Sequence, residues 1–263
     1  MNQLSDPALE LAQLCAELER PSKERGDMFL SEHFSVEPWS TDFYSAMSTV
    51  TERVAVIEAI LVTEGVPDLT LSSARESFDS VRAAFARESL STPWKDLGGP
   101  KLRMPKHTLA TLSPVVSRHH GYVVPDEVAR AELSAMCITL LDWLNDRQLN
   151  ERDFIRQCLI DGLRRFLFRI ERIKWFGWGY CANSLRDVLA AHLMLERGLD
   201  PISNPQAGAA LTMISDILKK VADVTSRAKG SAETGEWIVS VAKIAWGVGV
   251  PAATYVAGLL SHG

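Results

Sequence analysis

The sequence predicts an all-α fold, and three observations carry that prediction. Apolar residues recur at helical spacing along most of the 263-residue chain. Helix-start and helix-stop residues bracket those runs. Strand alternation and hairpin dipeptides between alternating runs are missing. The specific expectation is a helical cytosolic bundle with an apolar C-terminal helix.

The elements follow in chain order. Asp6 and Pro7 read as N-cap and first helical residue, with Ala8, Leu11, Ala12, Cys15 and Leu18 on one face and Pro21 as the stop. A second helix is expected from about Thr41 to Thr63, striped by Phe43, Met47, Val50, Val54, Ile57 and Leu61 and ended by Gly65. Ser73 and Glu76 have capping-box spacing, so a third helix is expected to open there and bury Phe78, Val81 and Phe85. Pro93, Pro100, Pro105, Pro114 and Pro125, with Gly98 and Gly99, predict a long irregular connection over 91–125 with room for one short helix. Helices resume with Val128, Met136, Leu140, Leu141 and Leu144. The next is capped by Asn150 and buries Phe154, Cys158 and Ile170. Gly177 and Gly179 interrupt, a short helix runs from Asn183 or Ser184 to Gly198, and another starts at Asn204–Pro205 with Ile214, Ile217, Leu218 and Val221 inside. The predicted organisation is thus 1–90, a Pro-rich connection 91–125, a second helical region 126–232 and a C-terminal membrane or oligomerisation helix 233–263.

Composition narrows the function classes. Hydrophobic residues at 46% and charged residues at 23% are ordinary globular values. A net charge of −5 argues against a general nucleic-acid coat, and no double-stranded nucleic acid is expected as partner. Cys15, Cys137, Cys158 and Cys181 are too far apart for CxxC chemistry and read as free thiols in a reducing cytoplasm. The N-terminus lacks a basic and apolar leader, so no secretory signal is expected. Walker A, GxGxxG, GxSxG and HExxH patterns are absent, and Pro100 removes an amide from Gly98–Lys101 where a phosphate loop would need it. Arg118-His119-His120-Gly121 has no further ligand at metal spacing and reads as a surface turn. No cofactor and no metal are expected.

The run Trp237–Leu260 carries one charge, Lys243. As a helix it would be about 36 Å long, against a bilayer core of about 30 Å. Ser240, Lys243, Gly247, Pro251, Thr254 and Gly258 fall in a stripe about 80° wide, a narrow polar and small-residue seam on an otherwise apolar helix. Small residues let membrane helices approach closely, and polar groups are tolerated where they face a bundle interior or a water-filled cavity. The seam therefore predicts a homo-oligomer whose copies line a pore. Lys219, Lys220, Arg227 and Lys229 precede it, which places the body on the cytoplasmic side. The competing reading is a soluble adaptor with this helix at the centre of its core, Lys243 reaching solvent along its stem.

Residues 163–180 interleave Arg164, Arg165, Arg169, Arg172 and Lys174 with Phe166, Phe168, Trp175, Phe176, Trp178 and Tyr180. Cations beside aromatic rings suit phosphate contact with base stacking, or a lipid interface. Arg164, Arg165, Arg169, Arg172, Lys174, Trp175 and Trp178 are the candidate ligand- or lipid-binding residues. The plainer reading is an amphipathic helix with a solvated basic face and an aromatic core face.

Two resemblances follow from these residues. A helical body with a seamed C-terminal helix resembles, at the level of architecture, the membrane and ion-channel effector subunits of bacterial anti-phage defence systems, such as that of the Hailong system. That resemblance implies an inner-membrane pore-former, without catalytic residues, gated by a nucleotide or oligonucleotide signal. Arg186-Asp187-Val188-Leu189-Ala190-Ala191-His192 resembles the Arg-x4–6-His element of HEPN ribonucleases, which would make Arg186 and His192 a metal-independent RNA-cleaving pair. Six residues apart on a straight helix, the two point about 120° from each other.

Overall fold

The first helix forms where the sequence places it, and its cap shows why. Asp6 accepts hydrogen bonds from the amides of Ala8 (3.1 Å) and Leu9 (3.0 Å), and Pro7 takes the first helical position, where a missing N–H costs nothing. The resulting α1 (Pro7–Leu18) buries Ala8, Leu11, Ala12, Leu14, Cys15 and Leu18. The computed structural model describes residues 5–120, 124–147, 153–198 and 205–226. Among these every regular element is a helix, beside one isolated bridge between Arg25 and Pro93. The chain divides into two compact units. One is Met1–Val124 with Arg164–Ser184, and the other is Pro125–Leu163 with Leu185–Gly263.

In the first unit, α2 (Gly26–Phe34) is followed by α3 (Thr41–Thr63), which has the predicted bounds. Ser40 caps α3 by accepting from the Phe43 amide at 3.1 Å. Gly65 ends it at φ +64°, with its amide on Val62 and that of Val66 on Leu61, the paired bonds of a Schellman stop. The predicted stripe is buried in full. α4 (Asp68–Ala84) starts five residues before the Ser73–Glu76 pair, because Leu71 extends the Ala74–Phe78–Val81 stripe and Pro67 turns the chain into the helix.

The predicted irregular connection is largely helical. After α5 (Arg87–Ser91) come α6 (Gly98–Lys101) and the 18-residue α7 (Arg103–His120). Its prolines are compatible with this. Pro105 lies in the first turn of α7, where amides have no partner within the helix, and only Pro114 sits inside. Leu109, Leu112 and Val116 of α7 pack along α1. Burying side chains of this size stabilises by roughly 1.5–3 kcal/mol each, so the three together outweigh the roughly 3 kcal/mol that an interior proline costs. Ser113 donates to Asp6, and Lys106 pairs with Glu19 across the same interface. Arg118, His119 and His120 form the last turn of α7 instead of a surface turn.

The division between units falls within α9 (Asp153–Glu171), between Leu163 and Arg164. The first unit is completed by α10 (Ile173–Phe176) and α11 (Trp178–Asn183). The second unit holds α8 (Glu127–Asp146), the first half of α9, α12 (Arg186–Gly198) and α13 (Pro205–Ser226), with α13 packed on α8 and α12. Asp126 caps α8 by accepting from Ala129 at 2.8 Å. Two sequence expectations in α9 are off in register here. Phe154, expected inside, is 70% exposed. The buried lines are Leu133–Cys137–Leu140–Leu144 in α8 and Ile155–Leu159–Leu163 in α9. Phe154 and Cys158 lie one residue to the side of that stripe, and Cys158 is half-buried. Ile214, Ile217, Leu218 and Val221 of α13 are buried as expected.

Candidate functional site

The basic and aromatic run 164–180 is mostly an internal fixture of the first unit. Phe166, Phe176 and Trp178 are buried in its core. Trp175 is half-buried, its ring edge-on to Phe34 at 5.4 Å and tilted against His33 at 5.3 Å. The indole N–H groups of Trp175 and Trp178 have no hydrogen-bond partner among the described residues. Arg172 spends its guanidinium on backbone carbonyls, those of Phe34 (3.1 Å), Ser35 (3.3 Å) and Phe168 (3.3 Å), and lies 4.3 Å over the Phe168 ring. Phe34 and Ser35 end α2, Ser35 at φ +53°, so Arg172 satisfies a helix terminus that would otherwise face it with bare carbonyls. Arg169 lies 4.4 Å over the Tyr180 ring. Lys174 is exposed but pairs with Glu17 at 3.1 Å. Arg164 and Arg165 remain on the surface. Arg169, Arg172, Trp175 and Trp178 thus cap, stack and fill, while Arg164, Arg165 and Lys174 face outward.

A partly buried ion pair, with Arg53 enclosed and the Glu10 side chain 20% exposed, fastens this segment. Arg53, on α3, is 3% exposed. It donates to the carbonyls of Trp175 and Pro7 and lies 3.3 Å from the Glu10 carboxylate. Burial raises the Glu10 pKa above the usual carboxylate range, with Arg53 opposing, and lowers that of Arg53, with Glu10 opposing. Gly177 sits against this pair at φ +78° and ψ 152°, a region that only glycine occupies readily, and a Cβ there would overlap the Glu10 carboxylate. Burial pushes the Cys15 thiol, as it does Cys137 in the second unit, up to about 12, and raises Cys181 as well. These thiols stay protonated and unreactive at neutral pH.

Arg186 and His192 share α12 in the second unit, but Arg186 is exposed and His192 is 4% exposed, as a 120° separation requires. They do not converge within the helix. The Nδ1 of His192 is buried without a partner among the described residues. Burial lowers its pKa, and Glu196 opposes the shift. A lowered imidazole pKa means that the unfolded chain takes up this proton first as pH falls below about 6.5. Stability is therefore full above that value and is lost as pH drops toward the lower folded value. His192→Leu is expected to leave the urea midpoint at pH 7.5 unchanged or higher and to flatten its decline between pH 6.5 and 5. The flattening is partial, because burial lowers His33 in the same sense. An unchanged pH profile would show that His192 titrates alike in the folded and unfolded chains, and is hence solvated.

A concavity in the first unit lies elsewhere, between α2, the start of α3 and α5. It has a volume of about 590 Å³. Its floor is Phe43, Met47, Phe85 and Leu90, all buried, and its rim carries Arg25, Arg87, Trp39 and Tyr44. Trp39 is 39% and Tyr44 56% exposed. Trp39 holds φ +61°, an unusual conformation for a bulky residue, and its indole donates to Asp27 at 2.8 Å. Asp27, 3% exposed, also receives Arg25 at 2.7 Å. Arg87 is exposed, with no acid paired to it among the described residues. The sequence reading missed these four residues. The available signal was Tyr44, an aromatic beside the α3 stripe and not on it.

The chain matches no family model, no curated protein and no solved structure. Function is therefore argued from its own residues. The seam residues Ser240, Lys243, Gly247, Pro251, Thr254 and Gly258 lie outside the described residues. Among those described, no helix is long and apolar enough to cross a membrane.

Proposed function

We propose that this chain is an oligomeric membrane effector, gated by a nucleotide or oligonucleotide signal, whose helical body faces the bacterial cytoplasm and whose C-terminal segment forms a pore in the inner membrane. The observation that carries this reading is the pattern of Trp237–Leu260. One charge in a span of bilayer length, with its small and polar residues confined to one stripe, suits self-association within lipid. A lone lipid-facing anchor has no use for such a seam. Lys243 in the lumen would disfavour cation passage.

Membrane fractionation with an alkaline carbonate wash tests the first half. The full chain is expected to stay in the washed membrane and a 1–232 truncation to be soluble and folded. A soluble full chain with an aggregating truncation would make the segment a core helix and end the pore reading. Gly247→Leu is expected to block close helix approach and abolish dye release from liposomes. Full release with unchanged oligomer size would remove the seam from the mechanism.

A further inference from the structure

We propose that the concavity between α2, α3 and α5 is a binding site for a small anion that carries a planar aromatic ring, the chemistry shared by nucleotides and aromatic acids. The proposal rests on the reading of the body as receiver of a signal, and it moves that role from residues 164–180 to Arg25, Trp39, Tyr44 and Arg87.

Four observations converge on it. The volume of about 590 Å³ lies in the range of ligand pockets, roughly 300–1,000 Å³, and the floor is apolar. Arg87 presents a guanidinium with no acid paired to it among the described residues, in a chain with 33 acids against 28 lysines and arginines. Such a group at the rim of an apolar hollow is suited to a bidentate contact with phosphate or carboxylate. Trp39 and Tyr44 expose ring surface toward the same hollow, although an aromatic side chain gains most by burial. Trp39 is also held in a left-handed conformation by its bond to the buried Asp27. Strain of this kind persists where surrounding structure fixes it, and it gathers at ligand sites.

The geometry specifies how the ring sits. The Trp39 and Tyr44 centroids are 6.0 Å apart with planes at 55°, too close and too tilted to sandwich a ring between them. A ligand ring therefore stacks on the outer face of one of them, over Phe43 and Met47, with its anionic group toward Arg87. Arg25, already bonded to Asp27, contributes its remaining donors without leaving that carboxylate unpaired.

Isothermal titration of the full chain in detergent tests this with four probes: AMP, adenosine, inorganic phosphate and indole-3-acetate. AMP is expected to bind, with adenosine and phosphate each at least about tenfold weaker, since each lacks one of the two contacts. Arg87→Gln should weaken AMP by about tenfold or more, and Tyr44→Ala should also weaken it, while Arg103→Gln, an exposed arginine on α7, should leave it unchanged. Indole-3-acetate binding as tightly as AMP would support the site and assign it to aromatic acids. Phosphate binding as well as AMP would overturn the ring contact. No binding of any probe at millimolar concentration, or binding indifferent to both Arg87→Gln and Tyr44→Ala, would overturn the site. Liposome leakage on the same protein separates this from the effector reading. Binding without leakage removes the pore and keeps the site, and leakage without binding does the reverse.

Discussion

Arg53→Ala is expected to destabilise the first unit by about 3–5 kcal/mol, the cost of removing one partner from a buried ion pair. The loss is more than electrostatic attraction. Arg53 holds the carbonyls of Pro7 and Trp175 together with the Glu10 carboxylate, and all three would be left facing a void. Those groups belong to α1 and to the 173–183 segment, so the substitution frees that segment from α1 and α3 as well. The pH dependence has a definite sign. Burial already raises the Glu10 pKa while Arg53 opposes it, so removing the cation raises it further. The folded variant then binds this proton at a pH where the unfolded chain does not, and its deficit is full at neutral pH and shrinks as pH falls toward about 4.5. Urea unfolding of the wild type and Arg53→Ala at pH 7.5 and 5.5 measures both effects. A deficit under about 1 kcal/mol, or one that grows on acidification, would mean that Glu10 is solvated and that the pair is ornamental. Pairing Arg53→Met with Glu10→Leu should recover part of the loss, since no unpaired charge remains buried.

What could be read from the sequence follows the range of the interactions that decide it. The cap of α1, the bounds of α3 and the Gly65 stop are set by residues within one turn, and they are legible in the sequence. α7 was not, because prolines were counted without regard to position in the helix. Pro105 in a first turn is harmless, and Pro114 is outweighed by three buried side chains against α1. The register at the start of α9 is off by one residue because two neighbouring stripes are both apolar, and only the tertiary partner selects Ile155 over Phe154. At the candidate site, composition located cations and rings but not what they face. Arg172 reads as a free phosphate binder until the carbonyls at the end of α2, more than a hundred residues earlier, are seen to be its partners. The hollow of Arg25, Trp39, Tyr44 and Arg87 has no local signature beyond Tyr44 standing off the α3 stripe, since four residues spread over three helices and their flanks form no motif.

The same long-range logic makes Trp94 the residue on which that hollow depends. Trp94→Ala is expected to cost about 3–5 kcal/mol, as for other fully buried aromatic side chains. Its ring is wholly enclosed, stacks on Phe29 at 5.3 Å and meets Phe85 at 6.4 Å, and its indole donates to the Leu18 carbonyl at 2.6 Å. Gly98 lies so close that a Cβ there would overlap the ring. The backbone of Trp94 donates to Glu24 at 2.8 Å, and the neighbouring amides tie Lys95 to Ser22 and Gly26 to Thr92. These bonds bring the start of α2 against the end of α5, where a Cβ on Gly26 would overlap the Ser89 carbonyl. Arg25 and Arg87 reach one hollow only because of that approach. Trp94→Ala should therefore lower the urea midpoint and weaken AMP together. Trp94→Phe, which keeps ring contacts but leaves the Leu18 carbonyl unpaired, should cost less, about 1–3 kcal/mol. A Trp94→Ala protein with unaltered stability would show that the ring is not the wedge between α1, α2 and α6. Lost stability with AMP affinity intact, measured below the unfolding midpoint, would show that the hollow is held by Asp27 and Trp39 alone.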